Sequence, residues 1–251
     1  MAEDFLLRLD SARPLAPGVR HLTFRRADGA PLVHRPGQFL RLAFRAADGA
    51  AVTRSYSIAT PVTPDADGLA RSEAIELVVS AVAGGLASNH LAGLAEGDEI
   101  AASGPNGRFW LDADDQPARL LLLATGTGIA PFRAWRPQLA ARLAAGREVL
   151  LLHGARTPED LLYGEEFAAF AAAHAGFRYH PCFSREGRAQ PAPGDRNGYV
   201  QYALRELAPD PARDLAWLCG NPGMVDDAVK ALGRHGFTLE HVRREKYVAG
   251  R

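Results

Sequence analysis

The chain has 251 residues, 47% of them apolar and 23% charged: an ordinary globular composition, and a length greater than most single cores support. Its 29 basic and 29 acidic side chains cancel, which argues against a general nucleic-acid binder. Two cysteines, Cys182 and Cys219, cannot build a disulfide framework, a zinc site or a four-cysteine iron–sulfur cluster, and the eight histidines show no metal-ligand spacing, so no metal is expected.

The start, MAEDFLLRLDSARP, is acidic and its apolar run is too short for a signal peptide. Nothing approaches the roughly 20 apolar residues of a membrane span, so a cytoplasmic protein with no membrane partner is expected. From Phe5 to Arg45 the chain places Arg8, Arg13, Arg20, Arg25, Arg26, Arg35, Arg41 and Arg45 against only Asp10 and Asp28. That is either a solvated barrel surface or a docking face for an acidic partner.

In chain order, FLLRL, VRHLTFRR, GQFLRLAFR, TRSYSIAT, AIELVVSAV and GDEIAASGP alternate apolar and polar residues between Gly, Pro and Asp. This period of two predicts an antiparallel barrel over residues 1–112. In TRSYSIAT the alternation sends Arg54 and Tyr56 to one face and Ser55 and Ser57 to the other. A cation and a flat phenol ring side by side suit a ligand with a phosphate and an aromatic system; an exposed Arg–Tyr pair is the plainer reading. GGLASNHL follows, with Gly85 and Ser88 at the start of a short helix, where a serine N-cap and free amides would hold an anion.

DADDQP, residues 112–117, marks the boundary. Beyond it RLLLLAT, EVLLLHGA, FRYHPCFS and LAWLCG alternate with EEFAAFAAAHA, GYVQYALRELA and GMVDDAVKALGRH, which predicts βαβ units around a parallel sheet over residues 118–251. Pro137 should break the helix PFRAWRPQLAARLAAG in two or kink it. LLLLATGTGIAPF runs from a buried strand through Gly126 and Gly128 into a helix, a place for backbone amides to approach an anion. It departs from the common dinucleotide fingerprint, because Pro131 stands where the third glycine would be.

GTGIAPFRA resembles the pyrophosphate turn of the ferredoxin–NADP(+) reductase family, and the order of an antiparallel flavin-binding barrel before an α/β nucleotide-binding domain is that family's order. The resemblance implies FAD and NADP(H) as cofactors. It implies that Tyr56 stacks on the isoalloxazine, that Arg54 pairs with flavin phosphate, and that Ser57 lies near N5. Ser55 belongs to the same FAD-binding motif, and Gly85, Leu86, Ala87 and Ser88 hold the pyrophosphate of FAD. RPGQF, residues 35–39, and LLYGEEF, residues 161–167, resemble family segments of architectural role.

For the nucleotide, the resemblance implies Thr125, Gly126, Thr127 and Gly128 at the pyrophosphate and Ser184 with Arg185 at the 2′-phosphate. Arg196 would be a second cation and Tyr199 an adenine-stacking ring. CGNPGMV brings Cys219, Gly220 and Asn221 to the nicotinamide; a buried strand-end cysteine is the other reading of Cys219. Glu245-Lys246-Tyr247 has the spacing of the family's terminal Glu-x-Tyr, with Tyr247 covering the flavin and Glu245 relaying protons; a Glu–Lys pair is the alternative. Ser57, Cys219, Glu245 and Tyr247 are thus the implied catalytic set.

The implied activity is hydride exchange between nicotinamide C4 and flavin N5, with electrons passed to ferredoxin or flavodoxin as an acidic carrier by a monomeric enzyme. The alternatives are a reductase component of an oxygenase or cytochrome system, and a flavin-binding regulatory subunit without turnover.

Overall fold

The computed structural model describes residues 3–45, 49–81, 85–112 and 114–247. Among these, the chain forms two compact units: one takes the residues up to 112 together with 130–137, the other takes 114–129 and 138–247. The segment 130–137 lies within the stretch whose grammar was that of the parallel sheet, but it packs with the barrel.

The first unit is a six-stranded antiparallel sheet in the order β5-β4-β8-β1-β2-β7. Its strands are β1 (Glu3–Ala16), β2 (Val19–Arg26), β4 (Phe39–Arg45), β5 (Ala51–Ser57), β7 (Ile75–Ser80) and β8 (Glu99–Asn106), while β3 (Leu32–His34) and β6 (Ala70–Ser72) form a separate ribbon. An Ile58–Leu77 bridge joins the two edges of the large sheet. Alternation places Leu7, Leu9, Leu22, Phe24, Leu40 and Leu42 inside, and helix α1 (Leu86–Gly93) adds Ala87 and Leu91 to the same core.

Two further helices, α2 (Ala130–Ala134) and α3 (Arg136–Ala144), flank Trp135, so the helix is interrupted two residues before Pro137, which then sits in the first turn of α3 where its missing donor costs nothing. The Trp135 indole is fully buried in the first unit, stacked on Phe109 at 5.3 Å, and donates to the Pro36 carbonyl at 2.9 Å.

The second unit is a parallel sheet in the order β12-β11-β10-β9-β13-β14. It comprises β9 (Arg119–Thr125), β10 (Glu148–Ala155), β11 (Phe177–Phe183), β12 (Arg196–Asn197), β13 (Asp214–Gly220) and β14 (Val242–Lys246). β9, β10 and β13 read as unbroken apolar runs because a parallel sheet is covered on both faces. The expected helices appear as α4 (Gly164–Ala173), α5 (Val200–Ala203) and α6 (Pro222–Gly233); α5 is shorter than GYVQYALRELA suggested and continues as a 3₁₀ turn to Leu207. No helix of the described residues is long and apolar enough to cross a membrane.

Each unit buries a histidine completely. His34 Nε2 meets the Ser72 hydroxyl at 2.9 Å, and His153 Nδ1 meets the Tyr179 hydroxyl at 3.1 Å. Burial pushes His34 down to about 4 and His153 down to about 3, from an ordinary 6.5. Below pH 6.5 the unfolded chain binds protons that the native state refuses, so this stability is complete above pH 6.5 and is lost as pH falls towards those depressed values. Urea unfolding should show a loss of about 1.4 kcal/mol per pH unit for each histidine between pH 6 and 5, and a His153→Gln variant should show a shallower slope.

Candidate functional site

In the barrel, β5 is an edge strand whose register sets Arg54 opposite Leu42 and Tyr56 opposite Leu40. Arg54 and Tyr56 share a half-buried face, Ser55 is exposed on the other, and Ser57 is buried at the strand's end. Tyr56 packs against the barrel core, and burial pushes its phenol up to about 12, with the Arg54 charge opposing. The ring is therefore neutral at every physiological pH. Arg54 Nη1 donates to the Thr53 carbonyl at 2.9 Å, which holds the guanidinium along the strand.

Helix α1 begins differently from the expectation. Gly85, not Ser88, is the N-cap, and no side chain caps the first turn. Ser88 is the third helical residue, buried, and its hydroxyl donates back to the Gly85 carbonyl at 3.1 Å. Among the described residues no side chain accepts from the first-turn amides of α1, the arrangement an anion can use. The side chain of Leu86 lies outside the described residues. At the other end Arg20 Nη1 donates to the carbonyls of Leu91 (3.1 Å) and Ala92, a cation at the negative pole of the helix.

In the second unit the sheet order runs outward from β9 to β12, then returns to β13 on the other side of β9. Ligands of open α/β sheets occupy the crevice outside the carboxyl ends of the strands at such a reversal. Thr125 closes β9 there, and Gly126–Ile129 form a 3₁₀ turn with Gly126 and Thr127 reachable from solvent. Gly128 has no room for a side chain: a Cβ would lie 2.2 Å from the Cys219 carbonyl oxygen. Gly220 has φ +137°, and a Cβ on it would lie 2.4 Å from Thr125 Oγ1. The Asn221 amide donates to that same hydroxyl at 3.0 Å, while the Asn221 side chain caps α6 by accepting from Gly223 N at 2.8 Å.

Cys219, Glu245 and Tyr247 come together at the same end. Cys219 pairs with Glu245 across β13 and β14, and the Tyr247 amide donates to the Gly220 carbonyl at 2.8 Å. Burial holds the Cys219 thiol well above its ordinary range, the Glu245 charge acts in the same direction, and a hydrogen bond with the Tyr247 side chain opposes them. Burial and the Glu245 charge thus favour the protonated thiol over a thiolate. Lys246 Nζ pairs with Asp226 at 2.6 Å.

At the ends of β10 and β11, Ser184 donates its hydroxyl to the Ala155 carbonyl at 3.3 Å, and the Arg185 amide donates to the Arg156 carbonyl at 3.0 Å. Arg185 is exposed, and so is Arg156, which the sequence reading missed. The signal was its place directly after EVLLLHGA, matching that of Arg185 after FRYHPCFS. Arg196 forms an ion pair with Glu206, so its charge is already engaged. Tyr199 is 55% exposed and meets the equally exposed Tyr202, also missed, edge to face at 5.8 Å.

The eight early arginines divide. Arg8 pairs with Glu99, Arg25 with Asp10, and Arg26 with Glu3 and Asp28, while Arg20 serves α1 and Arg35 lies over Trp110. Arg13, Arg41 and Arg45 are exposed and without an ion pair among the described residues.

Residues 7–110 match the family model of an oxidoreductase FAD-binding domain and residues 122–230 that of an oxidoreductase NAD-binding domain. Barrel, parallel sheet and these two matches define an oxidoreductase that binds FAD and a nicotinamide nucleotide. The chain is 37% identical over 254 residues to ferredoxin–NADP reductase B of Sorangium cellulosum, covering 98% of each chain. It belongs to the ferredoxin–NADP reductase family.

It is also 37% identical over 221 residues to the reductase subunit of an aromatic O-demethylase from Amycolatopsis, of which the match spans 62%. Among solved structures, the Amycolatopsis cytochrome P450 reductase GcoB superposes with a TM-score of 0.82 at 34% identity, over 98% of this chain and 70% of that one.

Replacing Gly128 by Ala should destabilise the second unit by about 1–3 kcal/mol through collision with the β13 backbone and abolish nucleotide binding. Gly126→Asn, at φ +53° with nothing within 4 Å of a Cβ, should keep the thermal midpoint within a few degrees. Thermal unfolding with and without NADPH reads both.

Proposed function

We propose that this protein is a cytoplasmic, monomeric reductase that moves electrons between NADPH and a one-electron carrier, ferredoxin or flavodoxin. The observation that carries the reading is the match to ferredoxin–NADP reductase B, which runs over 98% of both chains. A second reading, the reductase component of an oxygenase, is favoured by the equal 37% identity to the O-demethylase reductase subunit.

The residues of the barrel fit FAD. A neutral, half-buried Tyr56 ring offers a face to an isoalloxazine, Arg54 beside it suits a phosphate, and the uncapped first turn of α1 offers its amides to the pyrophosphate. FAD held by these residues would supply two-electron exchange with a nicotinamide at N5 and one-electron exchange with a carrier. Ser57, buried at the end of β5, supplies the hydroxyl near that atom.

The turn at Thr125–Gly128 holds the nucleotide pyrophosphate through its amides. Ser184 and Arg185 take the 2′-phosphate, with Arg156 from the adjoining loop as a second cation, and Tyr199 with Tyr202 offers an aromatic face to adenine. Cys219 contributes an uncharged wall to the nicotinamide pocket, Tyr247 covers the flavin, and Glu245 relays a proton. Arg41 and Arg45, two residues either side of exposed Ala43 on β4, form a cationic strip suited to an acidic carrier.

Anaerobic stopped-flow titration should show the flavin bleaching fast with NADPH and far more slowly with NADH; the opposite preference overturns the NADPH assignment. Arg185→Ala should raise KM for NADPH by about 10- to 100-fold while leaving the NADH reaction unchanged, as expected for a lost charge-assisted phosphate contact. Reduction of ferredoxin should slow with added salt and lose most of that dependence in an Arg41→Glu, Arg45→Glu double variant, read as carrier reduction rate against ionic strength.

A further inference from the structure

Arg133 lies in GTGIAPFRA, the run that the sequence reading gave to the nucleotide, yet its guanidinium serves the barrel unit. It is 7% exposed and on α2. Its Nη1 donates to the Ala59 carbonyl at 2.8 Å and to the Glu76 carboxylate on β7. Ala59 is two residues beyond Ser57 and three beyond Tyr56.

This stretch needs holding. β5 pairs with β4 on one side only, and past Ser57 the regular ladder gives way to the single Ile58–Leu77 bridge to β7. Residues 58–60 are then tied by a few bonds: Ile58 N to the Gln38 carbonyl at 2.9 Å, Ala59 N to the Glu76 carbonyl at 2.8 Å, and Thr60 Oγ1 accepting from Glu76 N at 2.8 Å. Most of these converge on Glu76, which Arg133 grips through the carboxylate while taking the one carbonyl between them. His21 Nε2 approaches the other carboxylate oxygen at 3.9 Å. A buried guanidinium is a costly way to anchor a helix that apolar residues could anchor, since Phe132 and Trp135 already do so. Its value is directional: it sets the height of the strand exit to hydrogen-bond accuracy.

We propose that Arg133 is a positioning residue for the flavin, holding the exit of β5 through Ala59 and Glu76 so that Ser57 and Tyr56 keep their places against the isoalloxazine. The inference rests on the assignment of Ser57 and Tyr56 to the flavin. It gives the GTGIAPFR run a second duty, inside the barrel, distinct from its turn.

The FAD-loaded protein and its Arg133→Met, Arg133→Lys, Glu76→Gln and Tyr56→Ala variants are compared by visible absorbance and circular dichroism of the flavin, its midpoint potential and FAD release. Arg133→Met should shift the flavin spectrum and potential and weaken FAD binding by about tenfold, the effect of one buried acceptor left unpaired. Arg133→Lys should restore most of both, and Glu76→Gln should move the spectrum in the same direction by less. If Tyr56→Ala changes the flavin while Arg133→Lys and Glu76→Gln are indistinguishable from wild type and Arg133→Met alters only the melting temperature, the clamp is overturned and the flavin assignment stands. If Tyr56→Ala leaves the flavin untouched, the assignment fails and the clamp falls with it. Should Arg133→Met not fold, the Lys and Gln variants decide.

Discussion

The closeness of β9 and β13 at their carboxyl ends is the constraint on which the second unit depends. Gly128 sits on the Cys219 carbonyl and Gly220 sits on Thr125, so neither position tolerates a β-carbon. At the other end the same two strands are locked by Arg119 and Asp214, a buried bidentate pair at 2.9 and 2.6 Å in direct register. A buried ion pair adds little net stability, but it specifies register, because any slip leaves two charges unpaired in the interior. Salt bridge below and backbone contact above together fix where the Gly126–Ile129 turn emerges. Asn221 then starts α6, and Tyr247 leaves β14 beside Cys219, both at heights set by that register.

The charges of the molecule divide by the same logic. Guanidiniums that are buried have several acceptors each: Arg119 has Asp214 and the Ala208 carbonyl, Arg26 has Glu3 and Asp28, and Arg133 has Glu76 and Ala59. A buried cation without such partners would not survive desolvation. Among the described residues, Arg41, Arg45, Arg156 and Arg185 have no ion pair and are exposed. Such exposed charges contribute little to folding. Position in the sheet separates their duties, since Arg156 and Arg185 follow the ends of parallel strands whereas Arg41 and Arg45 lie along the outer face of an antiparallel one.

Much of this was legible because the signals were periodic. The period-two grammar identified the barrel strands and the shared face of Arg54 and Tyr56, and unbroken apolar runs identified β9, β10 and β13. Pro137 marked the helix break because its chemistry is local. What failed depended on distant partners. Ser88 was read as an N-cap, but the helix starts one turn earlier in effect, at Gly85, since the cap is decided by where the backbone turns rather than by which residue has a hydroxyl. The eight arginines could not be sorted without the cross-strand pairs that engage Arg8, Arg25 and Arg26. Arg196 looked available until Glu206, ten residues on, was seen to hold it. Arg133 was invisible as a functional residue because its acceptors lie 57 and 74 residues away.

Cys219 shows how environment decides between two chemistries that one residue type allows. A cysteine at a strand end beside a nucleotide turn could be a thiolate nucleophile or an uncharged wall. Thiolates are favoured by a cation, a helix N-terminus or solvent; at Cys219 complete burial and the Glu245 carboxylate across the ladder both favour the protonated form. A neutral sulfur is soft and polarizable, and it can lie against an aromatic ring without imposing a charge on it. Such a sulfur would suit an aromatic ring that changes its own charge during a reaction. A fixed thiolate would stabilise the cationic form of that ring, whereas a buried thiol favours neither form.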